Sequence, residues 1–217
     1  ASEAMGDKDY WKTVMGVARQ STLKRILRTT QIMGRSDKDT LYASQIFYPC
    51  MQAADIFYLN ADICQLGMDQ RKVNVLAREL GPKLGFWKPI AVHHHMLMGL
   101  GEPPKGDATV ERAIAMKMSK SNPNSAIFMT DSNEDVVRKL RKAYCPEKQA
   151  NDNPILEYCK YIVFEKVDTF VIERPEKFGG DVTFNSYSDL ENSFVKGEVH
   201  PADLKTATAK YINELLE

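Results

Sequence analysis

The chain has 217 residues, which is enough for one large domain or two small ones with a buried core. Its 29 basic and 29 acidic residues give a net charge of zero, which excludes a protein that binds nucleic acid through bulk positive charge. Apolar residues make up 43% of the sequence, a normal share for a globular protein, and no apolar run approaches the roughly 20 residues that span a bilayer.

The N-terminal sequence predicts neither a signal peptide nor a natural chain start. It has no basic region followed by an apolar segment, and it lacks an initiator methionine. We therefore expect a fragment that begins within a helix. The four cysteines form no pair at the spacing of a structural zinc site, so they are interpreted as reduced thiols of an intracellular protein: Cys50, Cys64, Cys145 and Cys159.

The zero net charge hides an asymmetry along the chain. Residues 1–122 contain 17 basic and 12 acidic side chains, a balance of +5, and residues 123–217 contain 12 basic and 17 acidic ones, a balance of −5. This split suggests two regions with different functions. Basic clusters at 24–28 and 138–142 fit either local binding of a polyanion or a solvated helix face.

The sequence predicts two helices before the first strand. Residues 10–35 contain no proline and have apolar positions near helical spacing, so they predict one long helix. Tyr48-Pro49 predicts the first turn of a second helix, because proline is tolerated there. The apolar residues 56–59 either extend that helix or begin a strand.

Short apolar strands then alternate with a helix. Residues 61–67 and 89–93 predict buried strands. Between them, residues 70–80 predict a helix that stops at Gly81-Pro82, a strong C-terminal signal. The alternation of strand and helix indicates an open α/β sheet.

The second half of the sequence has a different pattern. Loop signals at 99–106 lead into a small, basic segment at 116–123. From residue 131 onward the pattern is mostly helical, so we predict a domain boundary near residue 130. Four helix starts are predicted, at Ser132, Asn153-Pro154, Ser188 and His200-Pro201.

One face of the second helix carries side chains that suit a small ligand. At about 100° per residue, Gln52, Asp55 and Leu59 all lie within about 40° of Tyr48. Asp69-Gln70 follows a predicted strand, where ligands bind in open α/β sheets. This lining would suit a zwitterionic amino acid with a polar tip. In the alternative interpretation, Tyr48 and Leu59 are core residues and Asp55 is a local cap.

Six blocks of sequence carry a resemblance to a known family. They read YPCMQAADIFYLNAD from Tyr48, DQRKVNVLARE from Asp69, KMSKS from Lys117, KAYCP from Lys142, RPEKFGGD from Arg174 and HPADLK from His200. In this order they resemble the tyrosyl-tRNA synthetases of the archaeal and eukaryotic cytoplasmic type, and the resemblance covers nearly the whole chain. Tryptophanyl-tRNA synthetases resemble the chain less at residues 48–55.

The resemblance implies a fold and an activity. Residues 1–130 would form the C-terminal part of a Rossmann-like catalytic domain, and residues 131–217 a mostly α-helical anticodon-binding domain. The implied enzyme is a class I ligase that activates L-tyrosine with ATP and transfers it to tRNA. ATP would bind as its Mg²⁺ complex, and the protein itself would hold no tightly bound metal. A cytoplasmic homodimer is implied, with a candidate surface in the helices before Tyr48.

The resemblance also implies which residues bind tyrosine. Asp55 would accept a hydrogen bond from the substrate phenol, and Leu59 would pack near its ring. The ammonium and carboxylate end of the substrate would be held by Tyr48, Gln52 and Gln70.

The nucleotide and the tRNA would contact other residues. Asp69 would lie by the ribose of ATP, and His93 near the nucleotide. The remaining implied ATP contacts come from the lysine loop, Lys117–Ser121: Lys117 and Lys120 on the phosphates, Met118 close to the adenine, and Ser119. The implied tRNA contacts are Phe178, His200 and Asp203 at the anticodon and, on a weaker match, Arg28 at the acceptor stem.

The run His93–His95 suggests a metal site at first glance. On a strand, neighbouring side chains point to opposite faces, so at most His93 and His95 could share an ion. We therefore favour a role for His93 near the nucleotide.

The chain departs from the family in what it lacks. It contains no H-I-G-H element, and the tyrosine that assists Asp55 in the family would lie upstream. Residues 101–116 read as an insertion before the lysine loop. We expect an enzyme without its N-terminal half, inactive in isolation, and the alternative is a non-catalytic tRNA-binding or scaffold module. The enzyme is favoured by the retention of Asp55, Gln52, Gln70, Lys117 and Lys120.

Overall fold

The computed structural model describes residues 2–29, 42–106, 112 and 116–217. They divide into two compact units, Ala1–Met96 and Leu97–Glu217. This division falls well before residue 130, because side chains on both sides of the lysine loop, such as Leu97 and Ile127, pack against the core of the second unit. The functional division into domains 1–130 and 131–217 stays a prediction.

The first unit combines helices with a parallel pair of strands. Strand β1 pairs with β2 in parallel, with Leu66 opposite His93, and α5 connects them as a crossover helix. This confirms the predicted alternation of strand and helix. The elements are α1 (Ser2–Gly6), α2 (Lys8–Arg19), α3 (Leu23–Thr29), α4 (Ala43–Tyr58), β1 (Ile63–Gly67), α5 (Arg71–Leu80) and β2 (Ile90–His94).

The predicted helix at 10–35 is divided into α2 and α3. Helix α2 begins after Asp7, whose carboxylate accepts hydrogen bonds from the first-turn amides, and it ends at Arg19. The Thr22 hydroxyl then accepts the Arg25 amide at 3.3 Å and so caps the start of α3. The prediction of one continuous helix is wrong for this reason, and its residues 30–35 lie outside the described residues.

Helix α4 begins earlier than predicted. Its first residue is Ala43, and the Gln45 side chain accepts the Tyr42 amide at 2.9 Å, which satisfies one donor at the helix start. Pro49 therefore lies inside the helix and not in its first turn. Its ring is buried there, and it has no amide hydrogen to donate to the carbonyl of the preceding turn. The helix persists to Tyr58, so the predicted ligand-binding face stays continuous.

Strand β1 is less buried than predicted. Cys64 is buried, whereas Ile63 is 62% exposed. Within the described residues β1 pairs only with β2, and along β1 the buried Cys64 lies between the exposed Ile63 and Gln65. Helix α5 begins and ends close to the predicted positions, and Val73, Leu76 and Leu80 bury one stripe of it.

The second unit is mostly helical, as predicted, but it also contains an antiparallel hairpin. Strands β3 and β4 pair with Val171 opposite Thr183. The core includes Phe170, Phe194 and Leu204, all fully buried. The elements are α6 (Asn133–Lys142), α7 (Pro154–Tyr161), β3 (Phe170–Ile172), β4 (Val182–Phe184), α8 (Tyr187–Lys196) and α9 (Pro201–Leu216).

Three of the four predicted helix starts in this unit are confirmed. Ser132 caps α6, Asn153 caps α7 and His200 caps α9. Helix α8 instead begins at Tyr187, because the Ser186 hydroxyl, and not that of Ser188, accepts the Asp189 amide at 3.2 Å.

Replacing Ser186 by alanine is expected to lower the free energy of unfolding by about 1 kcal/mol, because the first turn of α8 loses its cap. The Ser188→Ala variant is the matched control, since Ser188 is exposed within the helix and is expected to change stability little. Urea unfolding measures both values. Equal losses would contradict the position of the cap.

The four cysteines are free thiols, as predicted. Burial raises the pKa of Cys159 to about 12, so this thiol stays protonated at neutral pH. No helix in the described part of the chain is both long enough and apolar enough to cross a membrane.

Candidate functional site

The ligand-binding face of α4 is half open. Gln52 and Asp55 are half-buried, while the Tyr48 side chain is 50% exposed. Leu59 follows the last helical residue and is 71% exposed. Its contact with a substrate ring stays a prediction. Gln52 and Asp55, the central residues of the predicted face, therefore both lie within α4.

Asp55 is held by a residue that no sequence pattern had indicated. Tyr10, on α2, donates a hydrogen bond from its hydroxyl to Oδ1 of Asp55 at 2.8 Å. Tyr10 is only 3% exposed. Burial, and then the hydrogen bond to Asp55 and its charge, raise the pKa of Tyr10 far above its usual value. No spacing signal pointed to this pair, because 45 residues separate the two side chains in the sequence.

Gln52 and Gln70, which the resemblance implied for the ammonium and carboxylate end of the substrate, lie within hydrogen-bonding distance of each other. Nε2 of Gln52 donates to Oε1 of Gln70 at 2.8 Å. Gln70 ends the short 3₁₀ turn Met68–Gln70 that follows β1. Oε1 of Gln52 is buried and has no hydrogen-bond partner among the described residues. A buried acceptor without a partner destabilises the protein, so this oxygen is a candidate ligand contact.

Asp69 and His93 lie at the carboxyl ends of the two strands. Asp69 packs close to Gly67, since a Cβ built at Gly67 would lie 2.7 Å from Oδ1 of Asp69. His93, on β2, is 3.1 Å from the amide nitrogen of Asn74 through its Nε2. This strand edge is where ligands bind in parallel α/β sheets.

Asn74 is a second residue that sequence reasoning missed. It is 1% exposed, and its Oδ1 is buried without a partner among the described residues. A signal existed, because Asn74 lies on the buried side of α5 beside Val73 and Ala77, where an apolar residue is expected.

The lysine loop lies in the second unit and is held by backbone and serine contacts. Met98 forms an isolated bridge with Lys117, and Ser119 forms one with Asn122. The Ser125 hydroxyl accepts the Ser119 amide at 3.0 Å. Lys117 is half-buried and Lys120 is exposed. Met118 packs partly against the core of the second unit, so its predicted position near adenine stays a prediction.

A cavity of about 440 Å³ lies beside this loop. Its lining includes Lys117, Ser119 and Lys142, together with Glu102 and the ion-paired Lys139. Lys139 is 4% exposed, and its Nζ lies 2.5 Å from Oδ2 of Asp131 and 3.0 Å from the Ala126 carbonyl oxygen. Neither interpretation of the cluster at 138–142 therefore holds for Lys139, which is a buried structural charge.

Phe178 lies on an exposed turn of the second unit. Its ring is 63% exposed, and the turn Glu176–Phe178 ends at Gly179, where φ is +100°. Arg174 supports this turn, because its Nε donates to the Gly180 carbonyl oxygen at 3.0 Å and its guanidinium also reaches the Glu198 carbonyl. No role for Arg174 was predicted from the sequence.

The two other predicted anticodon residues lie at the start of α9. His200 caps the helix, and its Nδ1 accepts the Ala202 amide at 3.2 Å. Its Nε2 lies 3.6 Å from a carboxylate oxygen of Glu147. Asp203 is half-buried in the first helical turn.

Arg28 lies in a basic groove of the first unit. The groove is lined by residues of α3 and α5, among them Arg25, Arg28, Arg71 and Lys72. Arg25 forms an ion pair with Glu79 across the groove. Glu79 also lines the groove, so polyanion binding at the cluster at 24–28 stays a prediction.

The described residues do not form a candidate metal site. They contain no group of three or more histidine, cysteine, aspartate or glutamate side chains that could hold an ion. The expectation that the protein has no tightly bound metal stays a prediction.

Known proteins share both the sequence and the fold. A tyrosine–tRNA ligase of Thermococcus sibiricus is 46% identical over 232 residues, and a cytoplasmic tyrosine–tRNA ligase of Arabidopsis thaliana is 50% identical over 220 residues. Both matches cover 100% of this chain, and they cover 62% and 54% of those proteins. The chain thus spans between 54% and 62% of the length of these relatives.

A solved structure agrees with these matches. The tyrosyl-tRNA synthetase of Pyrococcus horikoshii, complexed with L-tyrosine, has a TM-score of 0.88 and 44% identity, with 99% of this chain and 62% of that chain covered. The family model described as tRNA synthetases class I (W and Y) matches residues 1–217. The chain therefore belongs to the class I tRNA synthetases of the tryptophan and tyrosine group.

Proposed function

We propose that the protein containing this chain is a tyrosine–tRNA ligase, which activates L-tyrosine with ATP and transfers it to tRNA. One observation carries the proposal. The face of α4 holds an acceptor for a phenol at Asp55 and, one helical turn away, a buried acceptor without a partner among the described residues at Gln52. The names of the relatives agree with tyrosine as the amino acid.

Each end of the substrate has a matching group in the first unit. The substrate phenol donates to the Asp55 carboxylate. The substrate ammonium, which only donates, satisfies Oε1 of Gln52, and Gln70 orients that amide through its hydrogen bond. Tyr48 and Leu59 are exposed enough to contact the substrate. A non-catalytic module would gain nothing from a buried acceptor without a partner.

The ATP contacts follow the same division into units. In the first unit, Asp69 contacts the ribose, and His93 lies near the nucleotide. In the second unit, Lys117, Lys120 and Ser119 bind the phosphates, and Met118 lies close to the adenine. ATP enters as its magnesium complex, which is a substrate. The residues up to 130 form the C-terminal part of a Rossmann-like domain, and the protein acts in the cytoplasm as a homodimer.

The rest of the second unit binds the anticodon in this proposal. The region carries a negative balance of charge, so binding there depends on local contacts and not on bulk attraction. Phe178 offers an exposed ring for stacking on an unpaired base. The Asp203 carboxylate would repel a phosphate but can accept hydrogen bonds from a base edge, and His200 lies beside it. In the first unit, Arg28 contacts the acceptor stem.

Replacing Phe178 by alanine in the complete protein is expected to weaken aminoacylation by roughly tenfold, because one base loses its stacking surface. Tyrosine activation without tRNA is expected to stay unchanged. The comparison of pyrophosphate exchange with aminoacylation measures the two steps. Met129→Ala is the matched control, since it removes an apolar side chain that is 81% exposed in the same unit. Equal losses in both assays would show that Phe178 supports the fold instead.

The proposal itself is tested by amino acid binding. Equilibrium dialysis of the complete protein with radiolabelled L-tyrosine and L-phenylalanine compares two ligands that differ by one hydroxyl group. Preferential binding of tyrosine, abolished by Asp55→Ala, supports the assignment. Binding of both amino acids with equal affinity would contradict it.

A further inference from the structure

Tyr10 differs from the exposed tyrosines near the candidate site. It is 3% exposed, whereas Tyr48 is 50% exposed, and its hydroxyl lies 2.8 Å from Oδ1 of Asp55. Its ring makes edge contacts with Trp11 and Tyr58, at centroid distances of 5.8 and 5.2 Å. These contacts hold the ring, so its hydroxyl is a fixed donor.

The protonation state of Tyr10 determines the direction of its hydrogen bond with Asp55. Burial and the adjacent carboxylate raise the pKa of Tyr10, so its phenol keeps the proton at neutral pH and can only donate to Asp55. The Tyr10 hydroxyl therefore occupies Oδ1 of Asp55 as a donor held at 2.8 Å.

The bond also divides the carboxylate into two different oxygens. Oδ1 accepts from Tyr10, and Oδ2 has no hydrogen-bond partner among the described residues. A carboxylate bound at one oxygen to a fixed donor cannot rotate freely, so Oδ2 keeps one orientation. A fixed acceptor discriminates strongly, because phenylalanine would leave it without a hydrogen-bond partner.

We propose that Tyr10 is a positioning residue for amino acid specificity: it fixes the Asp55 carboxylate so that Oδ2 receives the phenol of the substrate. This inference rests on the proposed function, since it takes Asp55 as the phenol acceptor. Tyr10 itself acts through Asp55, and its own hydroxyl stays bound to Oδ1.

The test is the Tyr10→Phe variant of the complete protein, which removes one oxygen atom and keeps the ring. Pyrophosphate exchange is measured with tyrosine and with phenylalanine. We expect the KM for tyrosine to rise by roughly tenfold, as for the loss of one hydrogen bond to a charged group. We expect kcat and the KM for ATP to change less than about twofold, because the phosphate contacts are untouched.

Tyr58→Phe is the matched control. It removes a hydroxyl from a ring in contact with Tyr10, and that hydroxyl interacts with Asp7 and not with Asp55. Its kinetic constants are expected to equal those of the wild type. A double-mutant cycle with Asp55→Asn adds a readout that a purely structural role would not give: if Tyr10 acts through Asp55, the two effects on the KM for tyrosine do not add.

The outcomes distinguish the role of Asp55 from that of Tyr10. If Asp55→Asn alone leaves the KM for tyrosine unchanged, the assignment of Asp55 in the proposed function fails. If Asp55→Asn raises that KM and Tyr10→Phe does not, the inference about Tyr10 is overturned and the proposed function stands. A Tyr10→Phe variant that raises the KM values for tyrosine and ATP together and also melts earlier would likewise overturn the positioning role.

Discussion

Replacing Lys117 or Lys120 by alanine is expected to lower kcat for tyrosyl-adenylate formation by roughly 10²–10³-fold, while the KM for tyrosine changes little. The tyrosine carboxylate is already ionised at pH 7, so its attack on the α-phosphate needs no general base. Catalysis then consists of positioning and of stabilising the negative charge that develops on the phosphates. Lysines that engage this charge act mainly on the barrier.

The surroundings of the two lysines support this expectation. Lys117 lines the cavity beside the lysine loop together with Lys142, and Lys120 is exposed at the turn of the same loop. Pyrophosphate exchange in the complete protein gives kcat and both KM values. Lys105→Ala is the matched control, because Lys105 is an exposed lysine on the preceding loop. A change confined to the KM for tyrosine would make the loop a binding element instead.

Replacing Asp55 by alanine is expected to lower kcat/KM for tyrosine by about a hundredfold, because the phenol loses a hydrogen bond to a charged acceptor. The activity with phenylalanine is expected to fall much less, so the preference for tyrosine narrows. Tyrosyl-tRNA synthetases are themselves the established example of such discrimination, and their known preference of about 10⁵-fold over phenylalanine reflects a site built to bind the hydroxyl.

Two further variants control this result. Asp55→Asn keeps the size of the side chain but replaces the charge and one acceptor oxygen with an NH₂ donor, so it separates loss of the charged acceptor from loss of packing. Asp62→Ala removes an exposed carboxylate shortly after α4 and is expected to have no effect on either amino acid. Equal losses with tyrosine and phenylalanine in Asp55→Ala would indicate a damaged fold and not a lost phenol contact.

Local patterns predicted the helix face and the strands on which the candidate site residues lie. Helical spacing placed Gln52 and Asp55 on one face, and the structure keeps that face because α4 continues to Tyr58. The strand signals at 61–67 and 89–93 predicted the two strands, and the structure pairs them in parallel, so Asp69 and His93 lie at the same edge. Short-range periodicity predicted these elements, whereas the roles of Asp69 and His93 were implied by the resemblance.

Long-range contacts could not be predicted in this way. Tyr10 reaches Asp55 across 45 residues, and neither residue type nor spacing indicated the pair. Lys139 belongs to a basic run, yet Asp131 and the core bury it. Which of two nearby serines caps α8 depends on backbone geometry, and the sequence favoured the wrong one. The boundary between the compact units after Met96 was not predicted either. It depends on the packing of Leu97 and Ile127 against the second core, which composition does not reveal.

Amino-acid-dependent ATP–pyrophosphate exchange by the complete protein tests the central claim most directly. The assay compares tyrosine, phenylalanine and tryptophan at saturating ATP. All three side chains are aromatic, but tyrosine carries a hydroxyl group, phenylalanine has no polar group and tryptophan carries an indole N–H. We predict rapid exchange with tyrosine and slower exchange, by several orders of magnitude, with the other two. Exchange that is absent with tyrosine, or equally fast with phenylalanine or tryptophan, would contradict the assignment of this chain to a tyrosine–tRNA ligase.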